Sequence, residues 1–433
     1  MMKLKEREDV EQMVAKKEIE KMDEPVSYLF IVLFYFLGTA CFVPQHFYVT
    51  ANEYWMYKFR DTNQIFNQTE SSKTSLQKNF TAYTGIVGNA GMVLFLFVTL
   101  FIHKKISVYK RILGSMTSLL LLFAITLIFI FVDTDSWQTG FFVIAVGVSA
   151  LLSSSGSVLL VSLFQLAYRF PPRCLAAQLA GQSLCGIVGA LVQVLALLAA
   201  PTVEGTASLY YAIATATIAG PMIAFIIASK KSDLLRSKLI KKPEEEKKTP
   251  RTGIKFNFGL MKTLLRKMGL LIASLVFCVC ATGILNPGLT VLIESSGKGT
   301  NTWSDTYFIP VCVFLIFNLF EFLGRELSNH IPLLKNIYVI FGTAFLRLAL
   351  LPLILLCNLQ PKSNLPVVFH EDAYFIVFMI LLATTSGYIL NISIVVLPIN
   401  AEERSLGMVV IVLVMIIFVT LTSFLGGVVV NLI

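Results

Sequence analysis

The chain has 433 residues, of which 56% are hydrophobic and only 14% charged; an ordinary soluble domain carries about a quarter charged residues, so that class is excluded. The net charge of +9 does not mark a nucleic-acid binder, because the excess Lys and Arg lies between apolar runs, where it reports membrane topology. Crossing a hydrocarbon core of about 30 Å takes about 20 mostly apolar residues at about 1.5 Å each, and the chain holds many such runs. The expected fold class is an all-α integral membrane protein.

Residues 1–25 alternate Lys and Glu without an apolar run, so they read as a cytosolic segment and not as a cleaved signal peptide. The first apolar run, 27–50, contains Pro44-Gln45-His46. Proline frees a backbone carbonyl and kinks a helix, which a membrane tolerates where neighbours or a cavity satisfy the exposed group. Gln45 and His46 are therefore candidate interior, substrate-binding positions, although a histidine held for structure alone fits His46 as well. The following loop carries the sequons Asn67-Gln68-Thr69 and Asn79-Phe80-Thr81, of which Asn67 is the expected glycosylation acceptor because Asn79 abuts the membrane.

Further runs cover 81–103, 111–132, 139–167, 175–200 and 206–229, then 268–293, 306–327, 333–357, 372–398 and 406–432, about eleven crossings in all. The fourth and fifth are rich in small residues, Ser153 to Ser157 with Gly156, then Gly181, Gly186 and Gly189. Such faces allow close helix contact or line a cavity. Ser162 is the hydroxyl singled out there as a candidate binding group. Between the sixth and seventh runs, the basic segment 230–267 includes Lys241-Lys242-Pro243-Glu244-Glu245-Glu246-Lys247-Lys248, too charged for a packed core. It reads as a linker dividing the chain into bundles of six helices (26–229) and five (268–433).

Alternate connections differ in charge. One set holds Lys104, Lys105, Lys110 and Arg111, then Arg169 and Arg173, then the basic linker, then Arg325 and Lys335; the other holds Asp133, Asp135, Glu204, Glu294 with Lys298, and Lys362 with Glu371 and Asp372. The basic set should be cytosolic, which puts the N-terminus in the cytosol and the C-terminus outside or in a lumen, with the plasma membrane as the default location. The first sequons fall on the non-cytosolic side, in agreement; a third, at Asn391, lies within a run and reads as accidental.

The eighth run carries a charged pair at membrane depth, where a lone charge costs at least about 2.5 kcal/mol. Asn318, Glu321 and Arg325 are spaced three and four apart and share one helical face. Two readings fit. The pair could glue helices together, with Arg325 reaching toward the cytosolic edge, or the three groups could line a translocation route and hydrogen-bond the hydroxyls of a polar solute. No His-Glu-x-x-His, Gly-x-Ser-x-Gly or phosphate-cradling loop is present, and His46, His103, His330 and His370 are scattered, so an enzyme is not expected. The seven cysteines lie in or beside apolar runs without metal spacing, so neither a disulfide framework, a metal nor a cofactor is expected.

These stretches resemble the equilibrative nucleoside transporter family over nearly all of the membrane region. The likeness is carried by Leu37-Gly38-Thr39 with Pro44 and Phe47 through Trp55, by Gly156, Ser162-Leu163-Phe164, Pro171 and Gly181-Gln182, and above all by Tyr307-Phe308-Ile309-Pro310 through Asn318 to Leu323-Gly324-Arg325. It continues through Leu346-Arg347, Pro352, Asn358 and Ser386-Gly387-Tyr388. The resemblance implies a major-facilitator-like pair of bundles, alternating access, and passive transport of purine and pyrimidine nucleosides, sometimes nucleobases. Ser162, Asn318 and Arg325 match the family pattern. Where many members have Trp-Asn after the first-span proline this chain has Gln45-His46; Leu160 replaces a usual Gln, and Glu321 a usual Asp. These departures bear on which solute is carried, not on the fold. The alternative reading is a diverged carrier of another small polar solute, or one coupled to protons.

Overall fold

The computed structural model of the chain describes residues 27–43, 47–48, 51–62, 74–102, 105–199, 202–239, 258–330, 336–360, 366–395 and 401–432. Among these the structure is helical, with two isolated β-bridges, Ile293–Leu359 and Cys357–Phe369. Helix is what such a sequence must form in lipid, because every backbone N–H and C=O then finds its partner within its own segment.

The helices in chain order are α1 (Tyr28–Val43), α2 (Asn52–Lys58), α3 (Ser75–Ile102), α4 (Val108–Phe131), α5 (Gln138–Ala167), α6 (Pro172–Ala199), α7 (Val203–Lys231) and α8 (Asp233–Leu239). After the central segment come α9 (Phe258–Lys267), α10 (Gly269–Leu285), α11 (Ile316–His330), α12 (Ile337–Leu346), α13 (Leu350–Leu355), α14 (Asp372–Val395) and α15 (Ala401–Leu432). Among the described residues, eight helices are long and apolar enough to cross a membrane, and three shorter apolar helices lie at Tyr28–Val43, Tyr83–Thr99 and Val410–Thr422. The apolar run expected over 333–357 is not one regular helix. It breaks at Arg347–Ala349 into a 3-10 turn between α12 and α13, where Pro352, lacking an N–H, cannot continue the backbone ladder. The run expected over 306–327 enters α11 through π-helical turns at Trp303–Tyr307 and Ile309–Leu315 that contain Pro310.

The helix ends separate into two faces. One bears Lys105, Lys110, Arg111, Arg169, Arg173, Lys230, Lys231, Arg266 and Lys267, and is called the basic face below. There Arg111 donates to Gln165 at 2.6 Å and Arg169 to the Lys238 carbonyl at 2.5 Å. At the opposite face Arg60 pairs with Asp135 at 2.7 Å, and Lys58 donates to the Val132 carbonyl at 2.8 Å. Burial pushes the Lys58 ammonium below its usual pKa, against the opposing pull of Glu204 and Asp135.

Among the described residues, buried apolar side chains form one large group, a second one, and a small third around Cys278, Ile340 and Ile389. The large group runs through α1 and α3 to α7, and takes in Leu264, Met268, Leu271, Ile394, Ile411 and Ile416 from the basic-face ends and middles of later helices. Leu285, Leu289, Phe308, Cys312 and Phe375, toward the opposite face, belong to the second group. The early and late helices thus share a hydrophobic core near the basic face, while α6 also packs against the turn Ile309–Leu315 farther from it. Since apolar contact is the main cohesive term between packed helices, the two sets are closed together at the basic face.

Two glycine crossings bring backbones to the closest approaches. Gly38 on α1 meets Gly181 on α6, where a Cβ on either would lie 2.2 Å from a backbone oxygen, of Gln178 or of Tyr35. Gly324 on α11 meets Gly387 on α14, where a Cβ would lie 2.2 Å from the Thr384 oxygen or 2.0 Å from that of Glu321. Only hydrogen fits in such gaps, so α6 and α11 are each fixed tightly against a partner, and they face one another.

Candidate site between α6 and α11

The polar stripe on α11 points at α6. Glu321 accepts from Arg325 on the next turn at 3.2 Å, and from the Ser183 hydroxyl of α6 at 3.1 Å. Arg325, 7% exposed, donates to the Leu179 carbonyl and, at 3.3 Å, to Gln182 Oε1, both on α6. Asn318 donates to the Phe314 carbonyl at 2.9 Å, and its Oδ1 occupies the space where a Cβ on Gly186 would be, 1.8 Å away. Gly186 is therefore what allows the Asn318 amide to seat against α6. The three side chains expected to share a face do so, and they meet a second helix whose Gln182, Ser183 and Gly186 complete the arrangement.

The third helix of the site is α14. Asn391 is 1% exposed and donates to the Arg325 carbonyl at 3.1 Å, to Ser328 at 2.6 Å and to Asn329 at 2.9 Å. That burial leaves no room for a glycan, which agrees with the sequon there being accidental, and it gives Asn391 a structural task in holding α11. On the other side Tyr35 of α1 donates to the Glu326 carboxylate, and its ring lies 6.4 Å from that of Phe322.

The other sequence candidates stand apart. Ser162 is fully buried on α5, with its hydroxyl turned back to the Val158 carbonyl at 2.7 Å, and no described hydrogen bond joins it to the stripe. Gln45, His46 and the expected acceptor Asn67 lie outside the described residues, as do residues 240–257 of the central linker. A small cavity of about 20 Å³ is lined by Cys41, Met92, Ser153, Gly156, Ser157 and Leu160, so the small-residue face of α5 borders a void as well as packing. Among the described residues no group of three or more His, Cys, Asp or Glu side chains could hold a metal. All seven cysteines are free.

Sequence reasoning passed over Tyr35, Ser183, Glu326 and Asn391 as site residues. A signal existed for Gln178, Gln182 and Gly186, which recur every fourth residue and so share a face of α6. Arg347 was also passed over as a structural group. It is 3% exposed and donates to the Cys278 and Leu382 carbonyls, to Thr282 and to Thr385, each at 2.8 or 2.9 Å. This guanidinium ties α10, α12 and α14 together at the point where the ninth run breaks.

Chemically, the seam offers one carboxylate, one guanidinium, three primary amides and a hydroxyl within a helix junction that excludes most water. Charge-assisted donors and acceptors of this kind match a ribose diol. The pair is internally neutralised, so it can remain buried when no solute is present.

The model of the nucleoside transporter family matches residues 146–433. The chain is 30% identical over 406 residues to equilibrative nucleoside transporter 1 of Homo sapiens, covering 83% of this chain and 87% of that one. It is 28% identical over 379 residues to equilibrative nucleoside transporter 3 of Rattus norvegicus, covering 83% and 79%. A more distant relative is equilibrative nucleotide transporter 1 of Arabidopsis thaliana, 24% identical with 92% and 85% covered.

Proposed function

Because the chain belongs to the nucleoside transporter family and is a multi-pass membrane protein that moves nucleosides facilitatively, we propose that the seam between α6 and α11 is where the solute's polarity is met. The observation that carries this is the pair Glu321–Arg325, buried at the junction of early and late helices and met by Ser183 and Gln182 of α6. Asn318 completes the site, and Gln45, His46 and Ser162 contribute from the first and fourth spans.

The reading extends to architecture and orientation. Eleven spans form bundles at 26–229 and 268–433, joined by the linker 230–267, in a major-facilitator-like arrangement. The rocking of one bundle against the other gives alternating access. Lys and Arg on the basic face support a cytosolic assignment for it, with a cytosolic N-terminus, an outer or lumenal C-terminus and Asn67 on the outer side as a glycan acceptor. The shared core near the basic face supports a conformer closed to the cytosol. The plasma membrane is the proposed location, and purine and pyrimidine nucleosides are the proposed cargo.

The test is uptake of labelled uridine and adenosine into vesicles holding the protein, with and without an imposed proton gradient. Saturable flux that equilibrates, and that no proton gradient drives uphill, is expected. Accumulation above equilibrium under a proton gradient would make the protein a coupled carrier, and saturable flux of neither nucleoside would move the solute class elsewhere.

A further inference from the structure

The seam contains more polar valence than it uses. Gln178 is fully buried, yet neither its Oε1 nor its Nε2 has a hydrogen-bond partner. Gln182, 6% exposed, leaves Nε2 without one, and Arg325 leaves Nε without one. Gln178 lies one helical turn from Gln182 on the same face of α6, toward the basic face, at the junction where α1, α6 and α11 converge. A primary amide enclosed without a partner is costly, and more so at membrane depth, where water does not compensate. Replacing such a group by an apolar one of the same shape is near neutral or stabilising. A sequence that nevertheless keeps amides at both positions points to a conformer in which they are satisfied.

We propose that Gln178 and Gln182 form a second polar station for the nucleoside, empty and enclosed while the seam is closed and engaged when α6 and α11 part at the basic face. A Gln side chain presents a donor and an acceptor side by side. That pair matches the hydrogen-bonding edge of a nucleobase, such as the imide edge of uracil or the amino-and-ring-nitrogen edge of adenine. The solute leaves the Glu321–Arg325 site, whose groups suit the ribose, and passes with its base first against Gln182, which touches Arg325, and then against Gln178 one turn nearer the basic face. Gln178 is the outermost described amide on that face of α6, and its lack of partners in the closed conformer keeps it available. This rests on the reading given above that the α6–α11 seam is the closed end of the route.

The experiment measures labelled-uridine KM from each face separately, using right-side-out and inside-out vesicles from the same nucleoside-transport-deficient cells expressing the full chain. The variants are Gln178→Leu and Gln178→Met, with Gln182→Met as a second position and Glu321→Gln as a reference. Losing one neutral hydrogen bond to the solute raises KM by about three- to tenfold, and here only for uridine presented from the linker-bearing face. A passive carrier must keep Vmax/KM equal in the two directions, so Vmax from that face rises in compensation or both directions fall together. Abundance and melting temperature in detergent are expected to hold or increase. Unchanged KM from the linker-bearing face, or an equal rise from both faces, overturns the proposal. So does a fall in melting temperature with lost abundance, which would show that the amides hold water in the closed seam. Glu321→Gln separates the two readings: failure of the ion-pair site leaves its KM unchanged from both faces, whatever the glutamine variants do.

Discussion

The Tyr35 hydroxyl of α1 donates to the Glu326 carboxylate of α11, linking two residues 291 positions apart across the junction of the early and late helices. Parting α1 and α6 from α11 at the basic face would break this contact and the Arg325 bonds to α6. Removing the contact should shift the carrier toward the conformer open at that face. A hydrogen bond to a charged group is worth about 1.5–3 kcal/mol, so Tyr35→Phe should change the ratio of conformers by about ten- to a hundredfold. The readout is labelling of a cysteine introduced at Leu179 by an impermeant maleimide applied from the basic face. Labelling that is no faster in the Tyr35→Phe background would show that the contact follows closure without contributing to it.

The ion pair predicts a split among conservative variants. Glu321→Gln leaves the Arg325 charge without its partner, a defect typically worth about 3–5 kcal/mol, whereas Arg325→Lys keeps the charge and loses the planar, multiply donating head. Both should reach the membrane in reduced amounts and lose most flux per inserted molecule, because an ammonium does not reproduce the guanidinium fork. Glu321→Asp keeps the charge and should retain substantial flux. Ser183→Ala, which removes the hydroxyl at 3.1 Å from the carboxylate, should be milder than either charge variant. Normal flux per molecule in both Glu321→Gln and Arg325→Lys would return the pair to helix gluing.

At the second glycine crossing, Gly387→Ala would put a Cβ 2.0 Å from the Glu321 carbonyl, so α14 must move away from α11. Overpacking of this kind costs about 1–3 kcal/mol or more. Lower thermal stability and lost transport are expected together, since the displaced backbone is that of Glu321 itself. Gly342→Ala, where nothing lies within 4 Å, is the matched control and should behave as wild type. Equal behaviour of the two variants would mean the crossing is looser than its geometry.

Arg347 tests structure without the site. Arg347→Met leaves the Cys278 and Leu382 carbonyls and the Thr282 and Thr385 hydroxyls without this donor, at about 1–3 kcal/mol for each acceptor left unpaired. Abundance and melting temperature should fall steeply, while uridine KM of the molecules that do insert stays near wild type. A raised KM at unchanged stability would move Arg347 from scaffold to binding.

The central linker should tolerate deletion. Removing residues 243–248 takes out charged, proline-containing sequence between the last helix before the linker and the first after it, so flux per inserted molecule should be retained. Loss of transport in a correctly inserted deletion would show that the segment does more than tether.

Composition, apolar run length and charge alternation determined by themselves that this is a helical membrane protein with one basic face, because hydrophobicity and helical rise are local properties of the chain. The stripe Asn318, Glu321, Arg325 was legible for the same reason: residues three and four apart on a helix face one way whatever surrounds them. What only tertiary structure decided is where that stripe points. Ser183, Gln182 and Leu179 lie more than 130 residues from Glu321 and Arg325, and their meeting depends on the angle and depth at which α6 crosses α11. That geometry follows from Gly38 against Gly181, Gly324 against Gly387, and Gly186 beneath Asn318, contacts in which the absence of a side chain sets the distance. A glycine in a sequence shows that a Cβ is missing; which backbone fills the gap is known only once the helices are packed.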